Sequence, residues 1–270
     1  MFSHLFSKQR LASRLSSIVT LILFVISTFS PMSIGAYAAS TLPFMPPAGQ
    51  LTSVSSVYNP VTLKGIKFDP NDPFKLEFII DEGNQSSATD ASIKEESAML
   101  IRYFLSAVTM PADDMWVNLS PYEQDRVIAD TLSTTEIGRD MLAQDYTLKQ
   151  LSASLTYPES DLGKQYWNNA GDKNNTFNKI WIMPDQSEVY ESGTTAVISK
   201  STLKVMTEED YLALQKNGQA QKSASAMNPV KELLLPALQK DVNEGSNFAR
   251  LRQLHSAIVL AAWFKVRLKD

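Results

Sequence analysis

Asp145 is the residue whose position makes the strongest case for chemistry. It lies on the apolar stripe of the amphipathic stretch 134–158, which is the longest uninterrupted helical pattern in the chain. A carboxylate on a buried helix face must be either paired with a cation or protonated. We favour a structural ion pair that links this helix to a second one, with Arg102 or Arg126 as the partner of Asp145.

The same residue supports a second hypothesis, in which Asp145 is a catalytic carboxylate with a raised pKa. A carboxylate-based hydrolase, for instance one that acts on glycans, needs a second acid about 5 to 9.5 Å away in the same cleft. The adjacent acids Asp113-Asp114 and those in 208–210 lie at turns or helix starts, where capping and the helix dipole explain them. The sequence therefore identifies one candidate acid and does not identify its partner.

Histidine and cysteine chemistry is scarce in this chain. There is no Cys, which excludes disulfides, thiol catalysis and thiolate metal sites. His4 lies in the N-terminal leader, and His255 lies on the apolar stripe of the last helix, which is typical of a core residue with one hydrogen bond. Residues 172–183 imitate a calcium loop, but Phe177 stands where glycine is required and Met183 where a bidentate acid is required. We predict no metal and no cofactor.

Aromatic side chains offer a binding interpretation. Tyr146, Tyr166, Trp167 and Trp181 would line a groove for a carbohydrate or a peptide if the fold brought them together. The alternative is that these large rings anchor the packing of helices on the sheet, which is the commoner use of buried aromatics.

The N-terminus reads as an export signal. Basic residues between positions 8 and 14 precede an apolar run at 18–29, and small residues lead to Ala38. This order is typical of a secretory signal peptide, with cleavage between Ala38 and Ala39. An uncleaved anchor is the alternative, although the apolar run is shorter than the roughly 18 residues of a membrane-spanning helix.

Cleavage would change the charge of the protein. The net charge of −4 becomes −7, because the leader holds three basic residues and no acid. An acidic protein repels nucleic acids and anionic membrane surfaces. We therefore predict an exported protein, periplasmic or extracellular, that binds no nucleic acid and does not insert into a membrane after cleavage.

The order of predicted elements indicates an α+β fold. Two strands come first, then four helices, a group of strands and further helices, so we expect an antiparallel sheet made of an N-terminal hairpin and a central strand group. The predicted organisation is a signal peptide (1–38), a flexible lead-in (39–60), an α+β domain (61–217), a linker (218–227) and a C-terminal helical pair packed on the main domain (228–270).

Local patterns give the individual elements. Alternating apolar residues predict hairpin strands at 61–68 and 74–80. After Lys179 the period returns to two, and proline is disfavoured inside a strand, so Pro184-Asp185 is predicted to be a turn. The full set of predictions comprises strands at 179–183, 188–191, 195–199 and 203–206, and helices near 90–110, 120–132, 134–158, 158–167 and 207–217.

The two C-terminal helices contain residues that are typical of helix starts, kinks and ends. Asn228-Pro229 opens a helix that Pro236 should kink or split, and Gly245 should end it. Ser246 is predicted to cap the last helix, which runs to near Asp270.

Five long segments of the chain carry a family resemblance. They are IKFDPNDPFKLEFIIDEGN, EIGRDMLAQDYTLKQLSASLTYPESDLGKQYW, NKIWIMPDQSEVYE, LKVMTEEDYLAL and NEGSNFARLRQLHSAIVLAAWFK, and they span most of 61–270. Together they resemble a group of uncharacterised exported proteins from bacteria of the Omnitrophota and related planctomycete–verrucomicrobial lineages. The resemblance implies a bacterial exported domain and assigns no activity, site residue or cofactor.

The sequence favours a non-enzymatic binding or interaction module of the cell envelope, whose partner would be an envelope protein or a polysaccharide. The carboxylate-based hydrolase with Asp145 and a second acid is the alternative. A third hypothesis is a structural module whose C-terminal helix packs on a partner protein.

Overall fold

The computed structural model describes residues 49–84, 90–110, 134–169, 180–217 and 229–268, which belong to one compact unit. The predictions for the signal peptide, the helix at 120–132, the linker at 218–227 and residues 172–179 of the calcium-like stretch lie outside these residues. The described elements are, in order, β1 (Thr62–Asp69), β2 (Asp72–Asp81), α1 (Asp90–Thr109), α2 (Glu136–Leu155), α3 (Asp161–Asn169), β3 (Ile180–Ser192), β4 (Thr195–Thr207), α4 (Glu208–Asn217), a π-helical turn (Val230–Leu234), α5 (Leu235–Glu244) and α6 (Ala249–Arg267).

The described strands form one antiparallel sheet in the order β2-β1-β4-β3, which confirms the predicted α+β class and the N-terminal hairpin. Both hairpins close through two residues. In the first, the Asn71 amide donates to Asp69 Oδ1 at 2.9 Å. In the second, Gly193 adopts a φ of +59°, a left-handed conformation that glycine takes at no steric cost. The tight turns fix which residues of each strand face the helices.

The central strand group differs from the prediction of four short strands. Two strands of 13 residues, β3 and β4, pair along their whole length. The predicted turn at Pro184-Asp185 is wrong, because β3 continues through Pro184, which pairs with Leu203, and the register shifts before Gln186. β3 lies at one edge of the described sheet, and a proline is tolerated at an edge and at a bulge because its missing N–H costs no ladder bond there.

α6 is the central helix of the described fold. It packs against α1, α2, α5, β1 and β4, and most of its side chains are buried. Its second half joins a cluster with α1 and the first hairpin, where the rings of Phe104 and Phe264 lie 5.8 Å apart. Its first half joins a second cluster around Leu151, Leu203 and Phe248. Most apolar side chains of α6 are therefore covered by this chain itself, while Val266 near its C-terminal end is 60% exposed. Of the described helices, none combines the length and the hydropathy needed to cross a bilayer.

Three helix boundaries lie within two residues of the predicted positions. Thr135 caps α2 by accepting a hydrogen bond from the Gly138 amide at 3.1 Å. Thr207 caps α4 through the Asp210 amide at 3.3 Å. Pro236 does split its helix, because a π-helical turn precedes it and places it in the first turn of α5, where no backbone donor is needed.

The predicted cap at Ser246 is wrong. Phe248 occupies the N-cap of α6 and makes no side-chain cap, while the Ser246 amide donates to Ser56 O at 3.2 Å. Val57 forms a β-bridge with Gly245. The N-terminal segment therefore holds residues 245–246 in an extended conformation, and the helix begins later.

Residues 49–60, assigned from sequence to a flexible lead-in, form an extended segment bound to α2, α5 and the α5–α6 connection. The Thr52 amide donates to Ser154 Oγ at 2.9 Å, and the Tyr58 amide donates to Glu244 O at 2.8 Å. Between them the Ser55 amide donates to Oδ1 of Asp241, a carboxylate that is only 1% exposed. Such long-range bonds leave no trace in local composition.

Candidate functional site

An open polar cleft lies where β1 and β4 separate. The two strands pair over three residues, Gly65–Lys67 with Thr195–Val197, and then diverge. The diverging parts line a cavity of about 390 Å³, which we call the β1–β4 cleft. This volume lies in the range of about 300 to 1,000 Å³ that is usual for small-molecule sites. Its charged or titratable lining residues are Lys64, Asp81, Arg252 and His255, and its amides and hydroxyls include Asn59, Asn84, Asn243, Thr62, Ser201 and Ser256.

Two β-bulges set the side chains of this cleft. Leu63 pairs with Ile80 and Gly65 pairs with Ile79, so Lys64 is an extra residue on β1. Ser199 is the extra residue on β4. A bulge reverses the alternation of a strand and re-aims the side chains next to it. Thr62 and Lys64 line the cleft on β1, and Ser201 and Leu203 line it on β4.

His255 joins α6 to both strands of the second hairpin. It is 2% exposed, with Nδ1 2.9 Å from Ser201 Oγ and Nε2 3.3 Å from Ser187 Oγ. Burial lowers the pKa of His255 to about 4, because the apolar surroundings penalise the charged imidazolium. The imidazole is therefore neutral at pH 7 and exchanges hydrogen bonds with hydroxyl groups, as the sequence prediction of a core histidine requires.

Arg252 brings a fixed positive charge to the cleft. Its Nη1 donates to Val242 O at 3.0 Å and Gly245 O at 2.8 Å, and its Nη2 donates to Tyr58 O at 2.6 Å. Burial lowers the pKa of Arg252 to about 10, against the opposing attraction of Asp241. The guanidinium is still charged at neutral pH, and three carbonyls hold its plane in place.

Side chains of α5 bind the backbone of β4 beyond the point where β4 stops pairing with β1. Asn243 Oδ1 accepts from the Leu203 amide at 2.9 Å, and its Nδ2 donates to Leu203 O at 2.8 Å. Gln239 Oε1 accepts from the Val205 amide at 2.7 Å. The two amides act as a substitute for a neighbouring strand, because buried backbone groups need partners. They give the backbone groups of β4 at the cleft wall their hydrogen-bond partners and leave the cleft open at this end.

The structure separates the predicted ion-pair residues. Asp145 is 11% exposed, and Lys149 Nζ lies 2.6 Å from its Oδ2. Arg102 instead binds Glu136 with two parallel bonds, Nε to Oε2 at 2.7 Å and Nη2 to Oε1 at 3.0 Å. Glu136 lies nine residues before Asp145, about 13 Å along the helix axis. Arg102 is therefore placed on a different acid, and Arg126, the other proposed partner, lies outside the described residues.

A carboxylate that sequence reasoning missed lies on the same helix. Burial raises the pKa of Asp140, against the hydrogen bond that Tyr103 donates to it and the charge of Arg250. Asp140 and Asp145 are five residues apart, so they point about 140° apart around α2 and do not face one another in a single cleft. They are not the carboxylate pair that the hydrolase hypothesis requires.

Asp140 belongs to a buried polar cluster between α1, α2 and α6. Arg250 Nη1 donates to Glu96 Oε1 at 3.0 Å, and Gln253 Nε2 donates to the same oxygen at 2.8 Å. The cluster is packed between helices and lines no part of the β1–β4 cleft, so we assign it to the fold.

Three of the four candidate aromatics take part in two ring pairs on different elements. Tyr166 and Trp167 of α3 meet edge to face, with centroids 5.2 Å apart. Trp181 of β3 stacks on Tyr211 of α4, with centroids 3.9 Å apart. Tyr146 is half-buried on α2. None of these residues is among those that line the β1–β4 cleft, and the observed contacts are those of packing anchors.

The cleft residues Lys64, Arg252 and Asp81 were not singled out from the sequence. A signal for Lys64 did exist: Leu63 and Ile66 are both buried although they are three positions apart, which is the phase shift of a bulge. No local sequence pattern indicates that Arg252 or Asp81 lines a cleft, because the cleft lies between strands that are more than 100 residues apart in sequence.

Comparisons with known proteins leave the chain without an assigned family: no protein-family model, no curated protein and no solved structure matches it. Within the described residues, no group of three or more His, Cys, Asp or Glu side chains is arranged to hold a metal ion.

Proposed function

We propose that this chain is a non-enzymatic binding module, exported to a bacterial cell envelope, that takes a small polar ligand into the β1–β4 cleft. The observation that carries the proposal is the cleft itself, in which side chains from β1, β4, α5 and α6 converge on one open volume. Hydroxyls and amides make up most of its polar lining, and such groups recognise ligands by hydrogen bonding.

The state of His255 supports binding rather than acid–base catalysis. A general base works best when its pKa lies near the working pH. With a pKa of about 4, the imidazole of His255 is a weak acceptor for the Ser201 hydroxyl proton at pH 7. The Ser201–His255 contact is then a hydrogen bond that shapes the cleft wall.

Export rests on the leader sequence. The basic residues before position 15, the apolar run at 18–29 and the small residues up to Ala38 are typical of a cleaved signal peptide. Mass spectrometry of the protein recovered from the periplasm or medium of an expressing bacterium should show an N-terminus at Ala39. An exported protein that retains the peptide from Lys8 to Arg14 would contradict cleavage.

Binding in the cleft is testable by NMR titration of the full chain with monosaccharides, uronic acids, amino acids and short peptides. We expect at least one of these to shift the amides of Lys64, Ser201 and Leu203 in a saturable way. Asn84→Trp, at the rim of the cleft, should weaken that response, since its ring occupies the opening. Asn71→Trp, at the exposed turn of the same hairpin, is the control and should leave it intact. Saturable shifts confined to other surfaces, or none at all, would refute the proposal.

A further inference from the structure

The charged side chains of the β1–β4 cleft restrict the chemical class of its ligand. Two cations, Lys64 and Arg252, and one acid, Asp81, line it, while His255 is neutral. Neither cation forms an ion pair with any residue that the structure describes, and neither does Asp81. Neither cation of the cleft therefore neutralises Asp81.

Lys64 and Arg252 are both half-buried, whereas most of the described lysines and arginines are exposed. Two other cations that are buried or half-buried have acidic partners: Lys231 has Asp210 at 2.7 Å and Arg250 has Glu96 at 3.0 Å. Half-buried Lys265 donates to Met110 O, while Lys94, Arg139, Lys164, Lys200, Lys204 and Lys240 are exposed to water. Asp241 partly offsets the charge of Arg252, and no described acid forms an ion pair with Lys64, so an anionic ligand would gain from both cations.

Arg252 is prepared for such a ligand. A guanidinium has five N–H bonds, and carbonyl oxygens of described residues accept three of those of Arg252. Its plane is fixed before binding, which reduces the entropy lost when a carboxylate docks. Lys64 adds a mobile ammonium from the bulge on β1.

Asp81 supplies the opposite charge at the end of β2. Its Oδ1 accepts a hydrogen bond from the Gly83 amide at 3.0 Å, which holds the carboxylate at the rim. A ligand with only negative groups would be repelled by Asp81, whereas a ligand that also carries an ammonium would gain from it.

We infer that the β1–β4 cleft binds a zwitterionic ligand, an α-amino acid or a dipeptide, with its carboxylate toward Lys64 and Arg252 and its ammonium toward Asp81. This inference rests on the proposed function, since it names the ligand class of the same cleft. Both charges of the ligand contribute, so removing either one weakens binding.

The test measures calorimetric affinities of the full chain for three probes that differ by one charge. Alanylalanine carries both charges, N-acetyl-alanylalanine lacks the ammonium, and alanylalanine amide lacks the carboxylate. We expect alanylalanine to bind about tenfold more tightly than either capped form, the size of effect of one partly desolvated charge contact.

Two conservative variants assign the charges. Lys64→Gln should lower the affinity for alanylalanine about tenfold and leave the affinity for alanylalanine amide unchanged. Asp81→Asn should also lower the affinity for alanylalanine about tenfold, but leave the affinity for N-acetyl-alanylalanine unchanged. Lys67→Gln is the matched control, because Lys67 lies on the same strand, is exposed and pairs with Glu77 at 3.2 Å. It should change none of the affinities.

The outcomes separate the two proposals. Capped and uncapped probes that bind equally, or neutral saccharides that shift cleft amides while alanylalanine does not, would overturn the zwitterion and leave the binding module standing. If no probe of either experiment shifts the cleft amides, the proposed function itself fails.

Discussion

A single buried side chain, His255, couples the fold to pH. Its folded pKa of about 4 lies below the value of about 6.5 for an unfolded histidine. A group whose folded pKa is depressed contributes stability that is present above the unfolded pKa and is lost as the pH falls through the folded pKa. The contribution of His255 to stability is therefore lost between about pH 6.5 and about pH 4. The resulting decrease in the free energy of unfolding is about 3 kcal/mol at most.

We predict that His255→Gln removes this component. The free energy of unfolding of the wild-type protein, measured by denaturant titration between pH 7 and pH 4, should fall more steeply with acid than that of the variant. Burial raises the pKa of Asp140, so protonation of that carboxyl favours the folded state as the pH falls, but this effect is common to both proteins and cancels in the comparison. Ser187→Ala is the control, because it removes only the 3.3 Å contact and should keep the wild-type slope. Parallel curves for wild type and His255→Gln would show that His255 is not the group responsible.

At the scale of elements, the sequence predicts what is local and misses what is paired at a distance. The helix over 136–155, the first hairpin and the split at Pro236 follow from periodicity, turn residues and proline chemistry. The continuity of β3 through Pro184 does not, because it depends on an edge position that only the strand order reveals. The cleft also escapes prediction, since it exists where β1 and β4 stop pairing and α5 amides take over.

Side chains of α5 take the place of a neighbouring strand beside β4. We predict that hydrogen exchange can detect the loss of one of these bonds. Asn243→Leu removes the acceptor for the Leu203 amide and one of the two side-chain donors to the Leu203 carbonyl, which Gln239 Nε2 also reaches. The Leu203 amide is left unpaired at a cost of about 1 to 3 kcal/mol. Hydrogen exchange should accelerate at Leu203 more than at residues of β4 that pair with β1, such as Ala196. Lys240→Leu, at an exposed position of the same helix, is the control. Equal acceleration throughout β4 would instead indicate global destabilisation.

At the scale of the whole described fold, α6 joins two clusters of buried apolar residues. α6 contributes to both clusters along its length, and the extended segment closes over α2, α5 and the start of α6. The sequence indicates a buried last helix but gives no sign that the segment 49–60 is bound. Many of its contacts are hydrogen bonds to residues more than 90 positions away, such as Gln150 and Ser154.

Asp241 is the residue on which the closure of this segment depends. Its Oδ1 accepts from the Ser55 amide and hydroxyl, and its Oδ2 accepts from Asn247 Nδ2 at 2.8 Å. Asp241→Asn keeps one acceptor but turns the other into a donor that faces the Asn247 amide, so we expect a loss of about 1 to 3 kcal/mol.

Because the lost bonds hold the segment, limited proteolysis should cut Asp241→Asn within residues 49–60 at a protease concentration that leaves the wild-type protein intact. Ser246→Ala is the matched control, since Ser246 is exposed and contributes its backbone amide, which alanine retains. Cleavage of both variants at the same rate, or an unchanged cleavage pattern in Asp241→Asn despite lower stability, would mean that this carboxylate does not fasten the segment.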